Sequence, residues 1–393
     1  MMGEGLWRDP FAGGGAPSRF HRVTNYEPVI ALFEGYGKDD PTYSAQLSVY
    51  VDGEQVIDLA QGMASDALVP VYSSSKGASA TVISLLVQRG QIDLDAPVAT
   101  YWPEFAQAGK GSVTVRQLLS HQAGLLGVDG GFSWDELLAH GPLAERLAAQ
   151  RPFWVPGQAF MYHALTIGTL ADELVRRVDG RTMADAFKEE VARPRQIDVW
   201  MGTPESEDLR SVDALPPTAE ELTAFLQKSP DALGGGDALG AVALPAGGAL
   251  DLLATVNEPA FRRVGQPAAG AMASARGLAA LYACLRHELN GAPRLLTDET
   301  ISQMAQIQVA GIELGTGLAA RFGVMFQVPC PPRWAFGSVG AFGHDGAGGS
   351  LAFCDPKFGV AFGYTVQRLP LPGGMDKRAV ELAHAVRSCL SRP

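Results

Sequence analysis

The sequence lacks a long apolar run, an excess of basic residues and a signal-peptide pattern. No stretch approaches 18 consecutive apolar residues, so we expect no membrane-spanning helix. Asp and Glu number 42 against 31 Lys and Arg, a net charge of −11 that opposes attraction to nucleic acid and anionic lipid. The opening MMGEGLWRDPFAGGG has no basic region followed by an apolar stretch. We therefore expect a cytoplasmic protein without nucleic-acid or membrane partners.

Patterns that bind metals or nucleotides are also missing. The seven histidines form no H-x-H or H-x-x-x-H pair, and the glycine-rich runs lack the G-x-G-x-x-G and GK[ST] spacings. The 4 cysteines are too far apart for a C-x-x-C site and predict buried free thiols. They are Cys284, Cys330, Cys354 and Cys389. The sequence thus predicts no metal and no other cofactor, and it does not indicate an oligomeric state.

The composition is that of a globular protein with many loops. Hydrophobic residues make up 47% of the 393 residues and charged residues 19%, which suffices for a large core. The 46 glycines and 26 prolines stay below the level typical of low-complexity chains. A chain of this length is expected to form two or three folding units.

Strand patterns occur near both ends of the chain. AQLSVYVDGEQVIDLA, residues 45–60, predicts two strands joined at Asp52-Gly53, a strong hairpin signal. SLAFCDPKFGVAFGYTV, residues 350–366, predicts a second hairpin, and residues 375–390 have helical spacing. We therefore expect an α/β (α+β) fold in which both chain ends build one antiparallel sheet flanked by helices.

The middle of the chain is mostly helical in pattern. Residues 73–89 contain VISLLV and are followed by Gly90, which predicts a helix buried on nearly all sides. Residues 204–270 are rich in Ala, Gly and Pro and predict an irregular cover or lid. We expect a discontinuous α/β domain of residues 18–72 and 271–393, with a mainly helical domain of residues 73–270 between its halves.

The segment PVYSSSKGASA, residues 70–80, carries the strongest chemical signal. Ser73 and Lys76 stand three residues apart at the start of the buried helix, so they share one face and the amine lies close to the hydroxyl. The helix dipole and the amine both favour a serine alkoxide. The alternative is that one of the three serines only caps the helix.

A Ser-x-x-Lys nucleophile needs a second proton-transfer group on another segment. Tyr162, in PGQAFMYHALTIGTLADELVRRVDG, is the candidate, and the alternative is a tyrosine that packs at a helix entrance. With VTVRQLLSHQAGL, residues 113–125, and FGHDGAGGSLAFCDP, residues 342–356, four ordered segments resemble the β-lactamase-related serine hydrolases. More narrowly the chain resembles the family VIII carboxylesterases, which share the fold of class C β-lactamases and penicillin-binding proteins.

The resemblance implies roles for individual residues. Ser73 would be acylated, Lys76 would deprotonate it and Tyr162 would relay protons. The backbone N–H groups of Ser73 and Ala347 would form the oxyanion hole, the largest contribution in many acyl transfers. The third motif would be His344-Asp345-Gly346, on the first strand of the C-terminal hairpin, and its His344 and Gly346 would contact the substrate.

The chain departs from the β-lactamases at two positions. The tyrosine motif reads Tyr162-His163-Ala164 instead of Tyr-x-Asn, and His344 replaces a lysine. A neutral imidazole offers less to the carboxylate of a β-lactam than an ammonium does, so we expect weak β-lactam turnover that improves as His344 is protonated. His163 is a candidate substrate contact, and His121 is expected to be a structural histidine.

The sequence therefore predicts a serine hydrolase that cleaves small carboxylic esters through a Ser73 acyl-enzyme. An acyltransferase that passes the acyl group to an alcohol or amine, a β-lactamase or D-amino-acid peptidase, and an inactive binding module on the same fold remain open. An α/β-hydrolase is not indicated, because the chain lacks G-x-S-x-G.

Overall fold

The computed structural model describes residues 24–228, 239, 242–244 and 248–391. Its main sheet has five antiparallel strands, β1 Ala45–Val51, β2 Glu54–Gln61, β8 Phe342–Asp345, β9 Leu351–Asp355 and β10 Val360–Val366. They lie in the order β2-β1-β10-β9-β8. Because β1 pairs with β10, with Ala45 opposite Val366, the two ends of the chain share one sheet as the sequence predicts.

The two faces of this sheet carry side chains of different size. Large residues such as Phe353, Phe362 and Tyr364 pack with the terminal helices Glu27–Asp39 and Lys377–Leu390. On β9 and β10 the alternate positions are small, such as Ala352 and Ala361, and these strands lie against the helix Ala275–Ala283. At Gly363 a Cβ atom would lie 2.3 Å from a carbonyl oxygen of that helix, so only glycine permits this close approach. Because alternate side chains point to opposite faces of the sheet, each face packs against helices and the sheet lies between two helical layers.

Three short strands form a second sheet, and the first of them leads into the buried helix. They are β3 Val69–Pro70, β4 Val199–Met201 and β5 Ala271–Ala273, and they lie in the order β3-β5-β4. The third sheet is a hairpin of two strands, β6 Val309–Ile312 and β7 Ala319–Phe322. From β3 the chain enters a 3₁₀ turn, Tyr72–Ser74, and then the helix Ser75–Gln88. This helix, called the central helix below, is buried from residue 75 to residue 86.

Among the remaining helices, Thr166–Asp179, Met183–Phe187 and Asp298–Ala305 pack against the central helix. The α-helices are Val115–Leu119, Trp134–Ala139, Gly141–Ala149, Thr166–Asp179, Met183–Phe187, Arg193–Arg195, Ala219–Lys228, Gly248–Asn257, Pro259–Val264 and Asp298–Ala305. Val98–Thr100, Pro103–Gly109 and Glu205–Arg210 are 3₁₀, and Lys188–Ala192 is π-helical. Within the described part of the chain, no helix is long and apolar enough to cross a bilayer.

Three local predictions are wrong. The region 204–270 is not irregular throughout, because its described residues include helices such as Ala219–Lys228 and Pro259–Val264. The third motif lies on β8, a strand of its own that precedes the predicted hairpin. All four cysteines are free, but Cys389 is partly exposed instead of buried.

Candidate active site

The three consecutive serines at the start of the central helix differ in their hydrogen bonds. Ser74 lies 3.2 Å from the carbonyl of His344 and 2.9 Å from the Ser350 hydroxyl. Ser75 donates to the Tyr72 carbonyl and accepts the N–H of Ala271. Both hydroxyls are therefore committed to holding strands against the helix. The Ser73 hydroxyl is bonded to Lys76 and the residue is partly exposed, which makes Ser73 the candidate nucleophile among the three.

Lys76 is fully buried and its ammonium nitrogen is held by three segments. Nζ lies 2.7 Å from the carbonyl of Ala164, 3.0 Å from that of Ala268 and 3.2 Å from Ser73 Oγ. Burial lowers the pKa of Lys76 well below its usual value, and the nearby Asp345 opposes this. A neutral amine can donate its two protons to the carbonyls, which leaves its lone pair for the Ser73 proton. The lysine is thus arranged as a general base.

The backbone around Ser73 leaves two donors available. Tyr72 has a φ of 48°, in the left-handed region that is unfavourable for a bulky residue, immediately before the nucleophile. The N–H groups of Ser73 and Ala347 donate no hydrogen bond to any described residue. Both residues line the same cavity, and their N–H groups remain candidates for the oxyanion hole that the resemblance implies.

Tyr162 lies on the other side of the lysine. Lys76 Nζ is 4.8 Å from the centre of the Tyr162 ring, which stacks on Phe322. Its hydroxyl is buried and forms no well-aligned hydrogen bond to a described residue, but it lies beside the Ser73 side chain. Burial raises the pKa of Tyr162 above its ordinary value of 10, and the neighbouring Ser73 side chain opposes the rise. The phenol therefore rests protonated and can pass a proton on without remaining ionised.

Ser73, Tyr162 and Ala347 meet at a cavity of about 290 Å³. Its other lining residues are Gln327, Arg333, Trp334, Asp345, Gly373, Gly374 and Met375. A larger cavity of about 580 Å³ lies elsewhere, beside Trp200, and contains none of the predicted site residues. Chemistry and not size therefore identifies the candidate site. Within the described residues, no group of His, Cys, Asp and Glu side chains is placed to hold a metal ion.

Three predicted substrate contacts do not line this cavity. His344 is completely buried, and burial lowers its pKa to about 3, so protonation of His344 near pH 6 is a wrong expectation. His163 is also buried, with Nε2 accepting the Leu125 N–H and Nδ1 near the Met161 carbonyl. Gly346 packs against the backbone before Ser73, where a Cβ atom would lie 2.3 Å from the Val71 carbonyl oxygen. Their positions support structural roles.

His121, expected to be structural, holds the tyrosine segment. Its Nδ1 accepts the His163 N–H at 3.0 Å, and its ring lies 4.9 Å from that of Tyr162. Burial lowers the pKa of His121 well below its usual value, so the ring stays neutral. The interpretation of this residue as structural therefore fits its contacts.

Sequence reasoning missed Asp345 and Gln327, which do line the cavity. Gln327 Nε2 donates to Asp345 Oδ1 at 2.7 Å, and the Met375 N–H donates to Oδ2 at 2.9 Å. Burial raises the pKa of the Asp345 carboxyl, and these two hydrogen bonds oppose the rise. Neighbouring residues of a strand point to opposite sides, so Asp345 faces the cavity where His344 was expected. Within so short a strand the sequence carried no signal that distinguishes the two faces.

Comparisons with known proteins show what this chain is similar to. A protein-family model described as Beta-lactamase matches residues 29–387. The chain is 34% identical over 380 residues to "Esterase/beta-lactamase LipL" of Mycobacterium tuberculosis, covering 88% of this chain and 82% of the relative. Among solved structures, EstA from Arthrobacter nitroguajacolicus Rue61a superposes with a TM-score of 0.84 at 39% identity, covering 93% and 96% of the two chains. A family VIII carboxylesterase superposes at 0.81 with 32% identity, covering 93% and 97%.

Proposed function

The chain belongs to the beta-lactamase family, and from this premise we propose that it is a carboxylesterase-type serine hydrolase that cleaves small esters through a Ser73 acyl-enzyme. The observation that carries the proposal is the lysine geometry. Nζ of Lys76 is held by two backbone carbonyls and lies 3.2 Å from Ser73 Oγ. The similar proteins that are named as esterases support an ester substrate.

The reaction begins with proton transfer from Ser73 to the neutral amine of Lys76. The Ser73 oxygen attacks the ester carbonyl carbon, and the N–H groups of Ser73 and Ala347 bind the oxyanion that forms. Tyr162 gives its proton to the leaving alkoxide and is reprotonated from Lys76. An acyl-enzyme remains on Ser73.

Water then completes the cycle. Lys76 and Tyr162, again neutral, remove a proton from the attacking water and return it to Ser73 Oγ when the acyl bond breaks. The protein supplies every proton transfer from these two side chains, so no cofactor enters the proposal.

Asp345 makes neutral esters better substrates than β-lactams in this proposal. A β-lactam carries a carboxylate, and Asp345 places a second carboxylate in the cavity. The lysine that is usual at position 344 in β-lactamases is replaced by a buried neutral histidine. The cavity therefore lacks the lysine ammonium that attracts the carboxylate of a β-lactam in β-lactamases, and the arginine in its lining, Arg333, is paired with Glu313.

The test is kcat/KM for p-nitrophenyl esters of two, four and eight carbons and for a chromogenic cephalosporin at pH 7.5. We expect the short esters to be turned over best, and Ser73→Ala to abolish all ester turnover. Repeating the assay with added alcohol or amine reveals acyl transfer as a new ester or amide product. A cephalosporin that is a better substrate than every ester contradicts the proposal.

A further inference from the structure

The backbone of the segment that carries Tyr162 is held from two sides. On one side, the Met161 N–H donates to the His121 carbonyl at 3.3 Å and the His163 N–H donates to His121 Nδ1 at 3.0 Å. On the other side, the Tyr162 N–H donates to Glu313 Oε1 at 2.9 Å. Three successive N–H groups therefore alternate between two partners, which fixes both the position and the rotation of the segment.

Glu313 lies in the turn between β6 and β7 and is only 2% exposed. A buried carboxylate is costly unless its oxygens are well bonded. Here Oε2 accepts a hydrogen bond from Thr316 Oγ1 at 2.7 Å and from Arg333 Nη1 at 3.0 Å. The carboxylate is therefore fully bonded, and it is fixed to a cation as well as to the tyrosine segment.

The same turn is packed closely against the tyrosine segment. The Leu314 N–H donates to the Phe160 carbonyl at 3.1 Å, and a Cβ atom at Gly315 would lie 2.4 Å from the Met161 side chain. Arg333, on the far side of Glu313, lines the catalytic cavity beside Ser73. A continuous set of contacts thus runs from the cavity wall through Glu313 to the backbone of Tyr162.

We propose that Glu313 is a positioning residue that fixes Tyr162 for proton transfer and connects it to Arg333 in the cavity wall. This inference rests on the proposed relay role of Tyr162. Glu313 touches neither the nucleophile nor the cavity, so it acts through the groups that it holds, above all the backbone of Tyr162. Loss of the carboxylate should lower kcat and leave KM nearly unchanged.

A double-mutant cycle tests this proposal. Glu313→Ala should lower kcat for p-nitrophenyl butyrate about tenfold, with KM changed less than threefold. In the Tyr162→Phe background, the same change should lower kcat less than twofold, because there is no hydroxyl left to position. Glu313→Gln keeps an oxygen for the Tyr162 N–H, so its kcat should lie between those of wild type and Glu313→Ala.

Glu136 provides a matched control. Its Oε2 accepts the Ser133 N–H at 2.9 Å and its Oε1 pairs with Arg146 at 2.5 Å, the same combination of partners outside the cavity. Glu136→Ala should keep kcat within twofold of wild type. Thermal unfolding of every variant identifies any that fail to fold, and if Glu313→Ala is among them, the cycle is run with Glu313→Gln.

Two outcomes overturn the inference. One is an equal loss of kcat from Glu313→Ala in the wild-type and Tyr162→Phe backgrounds, which indicates a general structural effect. The other is a kcat within twofold of wild type in a folded Glu313→Ala protein. The single variant Tyr162→Phe tests the proton relay by itself. If this variant keeps the wild-type kcat, the proposed relay role of Tyr162 is wrong as well. If it loses much of its kcat but the effects of Glu313 are additive, only the positioning role of Glu313 is wrong.

Discussion

The two sides of the candidate nucleophile are built differently. On the lysine side, Nζ of Lys76 is bonded to Ser73, Ala164 and Ala268, and the protein alone fixes its position. On the other side, the buried Tyr162 hydroxyl lies beside Ser73 without a well-aligned hydrogen bond to any described residue. The comparison teaches that the lysine is held in place before substrate binds, whereas the phenol can still form a full hydrogen bond with a reacting group.

Removal of the Ser73 hydroxyl should lower kcat more than any other substitution, because Lys76 and Tyr162 are both proposed to act on it. We expect Ser73→Ala to lower kcat at least about 10³-fold, since the substitution removes the hydroxyl to which the acyl group would be attached. Ser74→Ala and Ser75→Ala are matched controls, because their hydroxyls hold structural bonds. These two substitutions should lower the thermal midpoint and leave kcat close to the wild-type value. The measurements are steady-state kinetics and thermal unfolding of the three variants. A comparable loss of kcat in Ser74→Ala would contradict the distinction between a nucleophilic Ser73 and structural neighbours.

Removal of the Tyr162 hydroxyl should lower kcat less than removal of the Ser73 hydroxyl does. Tyr162→Phe keeps the ring and its stacking on Phe322 but removes the hydroxyl. We expect kcat to fall about 10²-fold, the usual scale for a general acid or base. The measurement is kcat for p-nitrophenyl butyrate, with Tyr101→Phe, whose hydroxyl accepts the Asp93 N–H outside the cavity, as the control. A loss below threefold would mean that Lys76 alone carries the protons.

The lysine side sets the pH dependence. Burial lowers the pKa of Lys76, and only the neutral amine is a base, so kcat/KM should rise as pH increases through that lowered pKa. The pKa of His344 is about 3 and that of His163 about 4, so neither adds a step near pH 6.5. Asp345 raises the pKa of Lys76, and Asp345→Asn should therefore move the acidic limb to lower pH. A shift to higher pH in the pH–rate profile would contradict this arrangement.

The smallest expected effect concerns substrate charge. Asp345→Asn should improve kcat/KM for p-nitrophenyl hemisuccinate about fivefold relative to its neutral methyl ester, the size of about 1 kcal/mol. The gain should shrink at high salt. Asp135→Asn, at an exposed helix position, is the control and should leave the ratio unchanged. An unchanged ratio in Asp345→Asn would show that the carboxylate does not select among substrates.

The sequence predicted the lysine side of the site better than the phenol side, for a physical reason. Ser73 and Lys76 are one helical turn apart, so local periodicity alone brings them together. The sheet formed by both chain ends was also visible, since its hairpins have clear alternation and turn residues. The four residues of β8 are too few to show which face each occupies, so His344 was chosen and Asp345 overlooked.

Long-range contacts were beyond sequence reasoning. Glu313 is 151 residues from Tyr162, and no local pattern connects a turn glutamate to a distant backbone N–H. Ala268, which binds Lys76, lies in a region whose composition predicts only irregular cover. Such partners are set by tertiary packing, which a single sequence does not display.

The central claim is that Ser73 forms the acyl-enzyme, and covalent labelling tests it most directly. The wild-type protein is treated with a fluorophosphonate, its intact mass is measured, and the modified peptide is sequenced by mass spectrometry. The account predicts one adduct per chain, located on Ser73, and none in Ser73→Ala. An adduct on Ser74 or Ser75, or undiminished labelling of the Ser73→Ala protein, would contradict it.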